Sequence, residues 1–248
     1  MRAIGVIPAR YHSTRLPGKP LADIGGKAMV QHVYENSLQS SLLDEVIVAT
    51  DDERVMDAVR RFGGKVELTS KDHTTGTDRV AEVVQRHDVQ VVVNIQGDEP
   101  FIRAGMIDEI LSPLLEGEEM DICTLKHEIT EPEDFDNPNV VKVVTDSNDF
   151  ALYFSRSLIP FPRYRVGYHA YEHIGIYAYS KQFLLLFSRI PQTSLEKTES
   201  LEQLRALENG YRIKVVLTEQ EYIAFSVDTL EDLERARIIE KSLRQREE

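Results

Sequence analysis

Short uninterrupted apolar runs alternate with stretches of helical periodicity through the first part of the chain. Residues 3–7 (AIGVI), 45–49 (EVIVA) and 91–96 (VVVNIQ) read as strands buried on both faces, with 66–68 (VEL) a shorter fourth. Between them, Val30, Val33, Tyr34, Ser37, Leu38 and Ser41 share one helical face of 28–42, and Val80, Val83, Val84 and His87 share one of 76–87. A further helix is expected at 52–62, with Asp51 and Asp52 as its caps. Strands alternating with helices predict βαβ units and a parallel sheet. The second part reads differently. Residues 139–146, 150–155, 173–180 and 212–219 look like strands parted by irregular segments, with helices at 182–188, 199–209 and 230–245. The expected fold is α/β, a mostly parallel central sheet flanked by helices, with an inserted mixed-strand lobe.

Charge narrows the choice of partners. The 248 residues carry 29 Lys and Arg against 42 Asp and Glu, a net charge of −13, which repels a nucleic-acid backbone. No apolar run reaches membrane-spanning length, no signal-peptide pattern opens the chain, and Cys123 is a single cysteine read as a small buried hydrophobe. A soluble cytoplasmic protein is expected, with neither nucleic acid nor membrane as partner.

Against this acidic background, residues 7–21 (IPARYHSTRLPGKPL) contain Arg10, Arg15 and Lys19 and no carboxylate. The segment follows the first strand, and ligands of open parallel sheets bind beyond the carboxyl ends of the strands. Arg10 and Arg15 can give forked bonds to phosphate oxygens, Lys19 a mobile point charge, Ser13 and Thr14 hydroxyl donors, and Gly18 a close backbone approach. The P-loop pattern fails because Pro20 follows Lys19, and no G-x-G-x-x-G occurs to support an NAD-dependent oxidoreductase. On charge alone, a solvated basic loop is the simpler reading. Asp98, after VVVNIQG, lies at the edge of the expected central strand, where a turn aspartate serves equally well. Asp228-Thr229-Leu230-Glu231 has the spacing of a capping box, which favours a cap at Asp228. His169 and His173 have metal-pair spacing but sit in a strand pattern, which argues against zinc.

The loop PAR-x-x-S-T-R-L-P-G-K-P-L resembles the signature of the sugar-nucleotide cytidylyltransferases, and in particular the 3-deoxy-manno-octulosonate (Kdo) cytidylyltransferase family. VATDDE at 48–53, GTDR at 76–79, NIQGDEPFI at 94–102, ALYFSRSLIP at 151–160, HIGIYAY at 173–179, LEQLRALENG at 201–210 and VDT at 227–229 follow in family order. Two positions depart from the pattern: Ser226 where glycine is usual, and Glu172 where a basic residue is usual.

The resemblance implies a Rossmann-like nucleotidyltransferase fold in one domain, 1–248. Its nucleotide-binding part would span about 1–120, a sugar-binding and dimerisation lobe 121–228, and a C-terminal helix 229–248. It implies transfer of CMP from CTP to the anomeric hydroxyl of Kdo, giving CMP-Kdo and pyrophosphate for lipopolysaccharide synthesis. Lys19, Asp98 and Asp228 would be catalytic, and the last two would bind Mg2+. Pro8, Ala9, Arg10, Ser13, Arg15, Lys19, Arg79 and Gln96 would hold the nucleotide. Arg156, His173, Tyr177, Glu202 and Gln203 would hold the keto-sugar acid, Arg or His meeting its carboxylate and the others its hydroxyls. Glu99 would be structural. A homodimer is implied. The alternatives are a cytidylyltransferase for 8-amino-Kdo or sialic acid, or a non-catalytic nucleotide-binding regulator.

Overall fold

The computed structural model describes residues 1–13, 15–164, 166–223 and 225–247; Thr14 lies outside them. One sheet organises the molecule. Its strands are β1 (Ala3–Pro8), β4 (Glu45–Thr50), β5 (Val66–Leu68), β6 (Val91–Asn94), β7 (Ile122–Glu128), β8 (Lys142–Thr145), β9 (Ala151–Ser155), β10 (Tyr171–Ser180) and β11 (Ile213–Leu217), and a separate small hairpin pairs β2 (Asp23–Ile24) with β3 (Lys27–Ala28). The spatial order is β11-β7-β10-β6-β1-β4-β5, with β8 and β9 continuing from β10. Strands β1, β4, β5 and β6 run parallel, as the buried apolar runs predict. Strand β10 enters antiparallel between β6 and β7, so both parts of the chain share one sheet.

The alternation of β1 shows why its apolar run is continuous. Ala3 and Ile7 pack on one side with α1 (Met29–Ser37), α2 (Glu53–Arg61) and α4 (Ala104–Glu116), while Ile4 and Val6 pack on the other with α3 (Gly76–Gln85), α5 (Lys181–Phe187) and α7 (Leu204–Glu208). Each such buried Ile or Val contributes about 1.5–3 kcal/mol relative to exposure. A third cluster joins α8 (Leu230–Glu247) to the basic loop: Leu16 packs with Phe225, Val227, Leu233 and Ala236.

Several expectations needed correction. The helix expected at 28–42 stops at Ser37 and leaves Leu38 half exposed, and the expected strand 91–96 ends at Asn94. The strand expected at 139–146 begins only at Lys142, whose wholly buried ammonium donates to the carbonyls of Asn137, Val140 and Arg156. Asp52 alone caps α2, while Asp51 instead pairs with Arg79 at 3.0 Å. Helix α4 and strand β7 were not foreseen. Pro113 sits inside α4, and the buried Lys126 interrupts the apolar pattern of β7.

Two corrections matter for the site. Of the helix expected at 199–209 only α7 forms; α6 (Ser194–Glu199) ends at the expected start, where Ser200 adopts a left-handed φ of 54°. Glu202 and Gln203 therefore lie in a turn. The capping box of α8 is also shifted by one residue. The Thr229 hydroxyl accepts from the Asp232 amide at 3.2 Å, and the Asp232 carboxylate accepts from the amides of Thr229 and Asp228 at 2.9 and 3.1 Å. The carboxylate of Asp228 is left free of capping duty. Thr229→Ala is expected to cost about 1 kcal/mol in denaturant unfolding, the usual loss of a cap. Asp228→Asn should cost less; the reverse order would return the cap to Asp228.

Candidate active site

The basic loop is held by its own turn. The Gly18 amide donates to the Tyr11 carbonyl at 3.1 Å, and Gly18 takes a φ of 72° with the Tyr11 ring against it. Pro20 then opens a short 3-10 turn, Lys19–Leu21, that fixes where the Lys19 side chain departs. The Arg54 guanidinium lies 3.4 Å from the centre of the Tyr11 ring and braces the loop from α2. Opposite, Gly97 lets the chain after β6 pass the end of β1, because a Cβ there would lie 2.6 Å from the Pro8 carbonyl oxygen. The Val227 amide donates to the Asp98 carbonyl at 2.9 Å. That bond brings the segment before α8 alongside the segment after β6.

Two carboxylates consequently meet. Lys19 Nζ lies 2.6 Å from Asp98 Oδ2 and 2.9 Å from Asp228 Oδ1, and Arg15 reaches Asp228 Oδ2 at 3.0 Å. They form one end of a cleft of about 340 Å³, a size suited to a small ligand. All eight residues expected at the nucleotide line it: Pro8, Ala9, Arg10, Ser13, Arg15, Lys19, Arg79 and Gln96. So do His73, Thr74, Thr75 and Gly76, which sequence reasoning missed although Thr75 and Asp78 form a capping box that begins α3 there. Ser13 accepts a turn bond from the Leu16 amide at 3.3 Å. Arg79 is buried and anchored by Asp51 and by the Thr69 hydroxyl.

The donor set suits a hard cation. Among the described residues, no group of three or more His, Cys, Asp or Glu gathers as a metal cage. Two convergent carboxylates beside an anion-binding loop are what magnesium commonly uses, with phosphate oxygens and water completing its shell. Lys19 Nζ stands where both carboxylates point.

The residues expected at the sugar fall into two groups. His173 and Tyr177 sit together on β10, and Glu202 lies close enough to Tyr177 to act on its hydroxyl; these three make up the expected sugar wall. Strand β10 carries a register shift between Ile174 and Tyr177, and the loosened carbonyls are claimed by neighbours. Gln96 Nε2 donates to the Gly175 carbonyl at 3.1 Å, and Thr124 Oγ1 lies 3.0 and 2.8 Å from the carbonyls of Ile174 and Ile176. With its proton directed to a carbonyl, Thr124 Oγ1 accepts from His173 Nε2–H at 3.1 Å, leaving Nδ1 as an acceptor. Burial drives the His173 pKa down to about 3, so the imidazole is neutral and supplies no positive charge to a carboxylate. The His173 ring lies 5.4 Å from that of Tyr177, whose hydroxyl burial pushes upward in pKa, with Glu202 adding to the effect. Burial likewise raises the Glu202 carboxyl. Three buried polar atoms in this region, Asn94 Oδ1, Glu202 Oε1 and Gln203 Nε2, have no hydrogen-bond partner among the described residues.

Arg156 stands apart. Its guanidinium donates to the carbonyls of Glu199, Pro138 and Ser200 at 2.7, 2.9 and 3.4 Å, and it does not line the nucleotide cleft. Glu99 is forced up to about 8 by burial, then by Asp98 and Glu172, and Glu172 to about 7, by burial first. His169 bonds Glu128 and His173 bonds Thr124, each engaged with a different neighbour. Cys123 is buried and its thiol raised to about 12 by burial.

Comparison with known proteins places this geometry in a family. The family model described as cytidylyltransferase matches residues 4–215. A 3-deoxy-manno-octulosonate cytidylyltransferase of Geobacter sulfurreducens is 52% identical over 252 residues, covering 97% of this chain and 99% of its own. One of Fusobacterium nucleatum is 49% identical, covering 95% of each. Among solved structures, CMP:2-keto-3-deoxy-manno-octonic acid synthetase complexed with CTP superposes with a TM-score of 0.93 at 44% identity, over 98% of this chain and 99% of that one. A 4-diphosphocytidyl-2C-methyl-D-erythritol synthase from Anaerococcus prevotii, 15% identical at a TM-score of 0.62, shares the fold. The chain belongs to the cytidylyltransferase family, among the 3-deoxy-manno-octulosonate cytidylyltransferases.

Proposed function

We infer that the protein transfers CMP from CTP to the anomeric hydroxyl of Kdo, releasing pyrophosphate and forming CMP-Kdo. The observation that carries this reading is the meeting of Asp98 and Asp228 on Lys19 in a basic cleft, within a chain matched along its length by enzymes of that name. A protein that merely bound nucleotide would not need the second carboxylate.

The anomeric oxygen attacks the α-phosphorus, the bond to the β-phosphate bridging oxygen breaks, and the hydroxyl proton passes to solvent. Such transfers rest on positioning and charge neutralisation. Arg10 and Arg15 hold the triphosphate. Lys19 moves from the carboxylates to the leaving pyrophosphate and stabilises its growing charge. Arg79, Gln96 and the backbone at Pro8 and Ala9 hold cytosine and ribose. Asp98 and Asp228 would hold Mg2+, which would supply Lewis-acid activation of the attacking hydroxyl and charge neutralisation at the α-phosphate. Glu202, Gln203 and Tyr177 take sugar hydroxyls, satisfying the unpartnered Glu202 and Gln203 atoms, and neutral His173 accepts one through Nδ1. Arg156, bonded to the Ser200 carbonyl beside this turn, is the cation for the sugar carboxylate. No helix among the described residues is long and apolar enough to cross a membrane. A cytoplasmic site of reaction goes with this reading, since CTP is a cytoplasmic substrate.

The protein works as a homodimer through the β8–β9 lobe. Leu152 on β9 and Phe161, Tyr164 and Val166 in the segment that follows expose 63, 85, 79 and 99% of their surface, apolar side chains available to a partner. β9 is hydrogen-bonded to β8 alone among the described strands.

Pyrophosphate release that requires CTP, Mg2+ and Kdo together tests the reaction, and turnover with an 8-amino sugar or sialic acid but not Kdo would reassign the substrate. Asp98→Asn should lower kcat by about 1,000-fold or more, roughly 4 kcal/mol of barrier, with the thermal melt little changed. Near-normal kcat would remove Asp98 from the metal. Because the folded His173 pKa lies below the usual 6.5, its neutral form favours folding fully above about 6.5, and this contribution fades as pH falls toward 3. Its NMR signals should hold still from pH 8 to 5; titration near 6.5 would mean a solvated imidazole. In sedimentation, Leu152→Glu should convert the dimer to a monomer, and a wild-type monomer would sink the interface.

A further inference from the structure

Thr77 lies where the nucleotide cleft and the sugar wall touch. It is the second residue of α3, only 3% exposed, and its neighbours Gly76 and Arg79 line the cleft. Its hydroxyl turns the other way. It donates to Glu202 Oε2 at 2.5 Å, across 125 residues of sequence, and sits 3.5 Å from Asn94 Nδ2. Asn94 is equally buried, at the end of β6 and directly opposite Tyr177 in the β6–β10 pairing. The chain Asn94–Thr77–Glu202 thus joins three elements, and at each end one oxygen, Asn94 Oδ1 and Glu202 Oε1, has no hydrogen-bond partner among the described residues, Glu202 Oε1 having only the Arg205 guanidinium 3.6 Å away. A tie that served stability alone would satisfy its own buried acceptors, since each orphan costs about 1–3 kcal/mol.

We propose that Thr77 is a positioning residue for the acid sugar: its hydroxyl holds one oxygen of Glu202 so that the other, with Asn94 Oδ1, accepts hydroxyl protons of a polyhydroxylated substrate. The inference rests on the sugar role given to Glu202 above. A hydroxyl has one proton, and Thr77 gives it to Glu202, which forces Asn94 to approach Thr77 with its amide nitrogen and leaves its oxygen free to accept. Orientation of the pair follows from that single proton. Asp78 on α3, Glu196 on α6 and Arg205 on α7 surround Glu202, with Arg205 3.6 Å from Oε1 and Tyr177 and Tyr179 facing it from β10. In this mostly acidic setting the Thr77 bond favours the ionised carboxylate.

The test uses the full chain with Thr77→Val, which keeps the shape and removes the hydroxyl, and Thr77→Ser, which keeps the hydroxyl. The valine variant should raise KM for Kdo about 10- to 100-fold and leave KM for CTP within about twofold. The acid limb of its kcat/KM for Kdo should move to higher pH, since Glu202 loses a bond that favours its charge. Serine should restore both. In a Glu202→Gln background, Thr77→Val should add little to KM for Kdo, because the two act as a unit. Equal rises in both KM values, an unmoved KM for Kdo, or full additivity with Glu202→Gln would each overturn the proposal. If the valine chain does not fold, Thr77→Ala carries the same expectations. Absence of Kdo-dependent pyrophosphate release by the wild-type protein would instead strike at the proposed reaction, so the two failures are distinguishable.

Discussion

Two ionised carboxylates from distant parts of the chain, held a few ångströms apart, repel unless a cation sits between them or they share a proton. Asp98 follows the central strand and Asp228 precedes the last helix, and Lys19, 2.6 and 2.9 Å away, supplies that cation in the free protein. Like charges so placed repel, and removing one partner leaves the rest uncompensated. The fold answers this constraint at every level. The Val227 amide bonds the Asp98 carbonyl, Gly97 admits the approach to Pro8, and Leu16 docks the basic loop on α8. Each contact fixes a segment that carries one of the three charges.

The same arrangement sets up an exchange. An ammonium offers one diffuse charge to both carboxylates, while a divalent ion offers two at shorter range. On the proposed mechanism, a triphosphate arriving in the cleft would give Lys19 a new partner as the ion took its old ones. Binding of nucleotide and metal would thereby be coupled through one side chain.

How much of this was legible in the sequence varied by residue. The βαβ half was plain, because parallel strands covered on both faces need unbroken apolar runs. Asp98 could be placed because it follows such a run. Asp228 was hidden by a one-residue ambiguity: Asp and Thr both cap helices, and only the backbone decides that Thr229 does so. Glu202 and Gln203 were assigned to a helix because Ser200, and not glycine, takes the left-handed turn that breaks it. The neutral state of His173 depends on burial that no local pattern encodes. Asn94 and Thr77 gave no signal beyond the motifs around them, since a buried Asn on a strand and a Thr in a first helical turn are ordinary residues until their partners are known.

Those partners explain the spacing after the central strand. Asn94, Gln96 and Asp98 alternate along one short segment, and each serves a different neighbour. Asn94 reaches α3 through Thr77, Gln96 holds the loosened carbonyl of Gly175 in β10, and Asp98 meets Lys19. Only Asn94 lies on the strand itself; Gln96 follows it, and a turn closed by the Glu99 amide on the Gln96 carbonyl at 3.3 Å fixes Asp98 just beyond the strand end. The register of β6 sets where that turn begins, so a one-residue slip would displace all three side chains together.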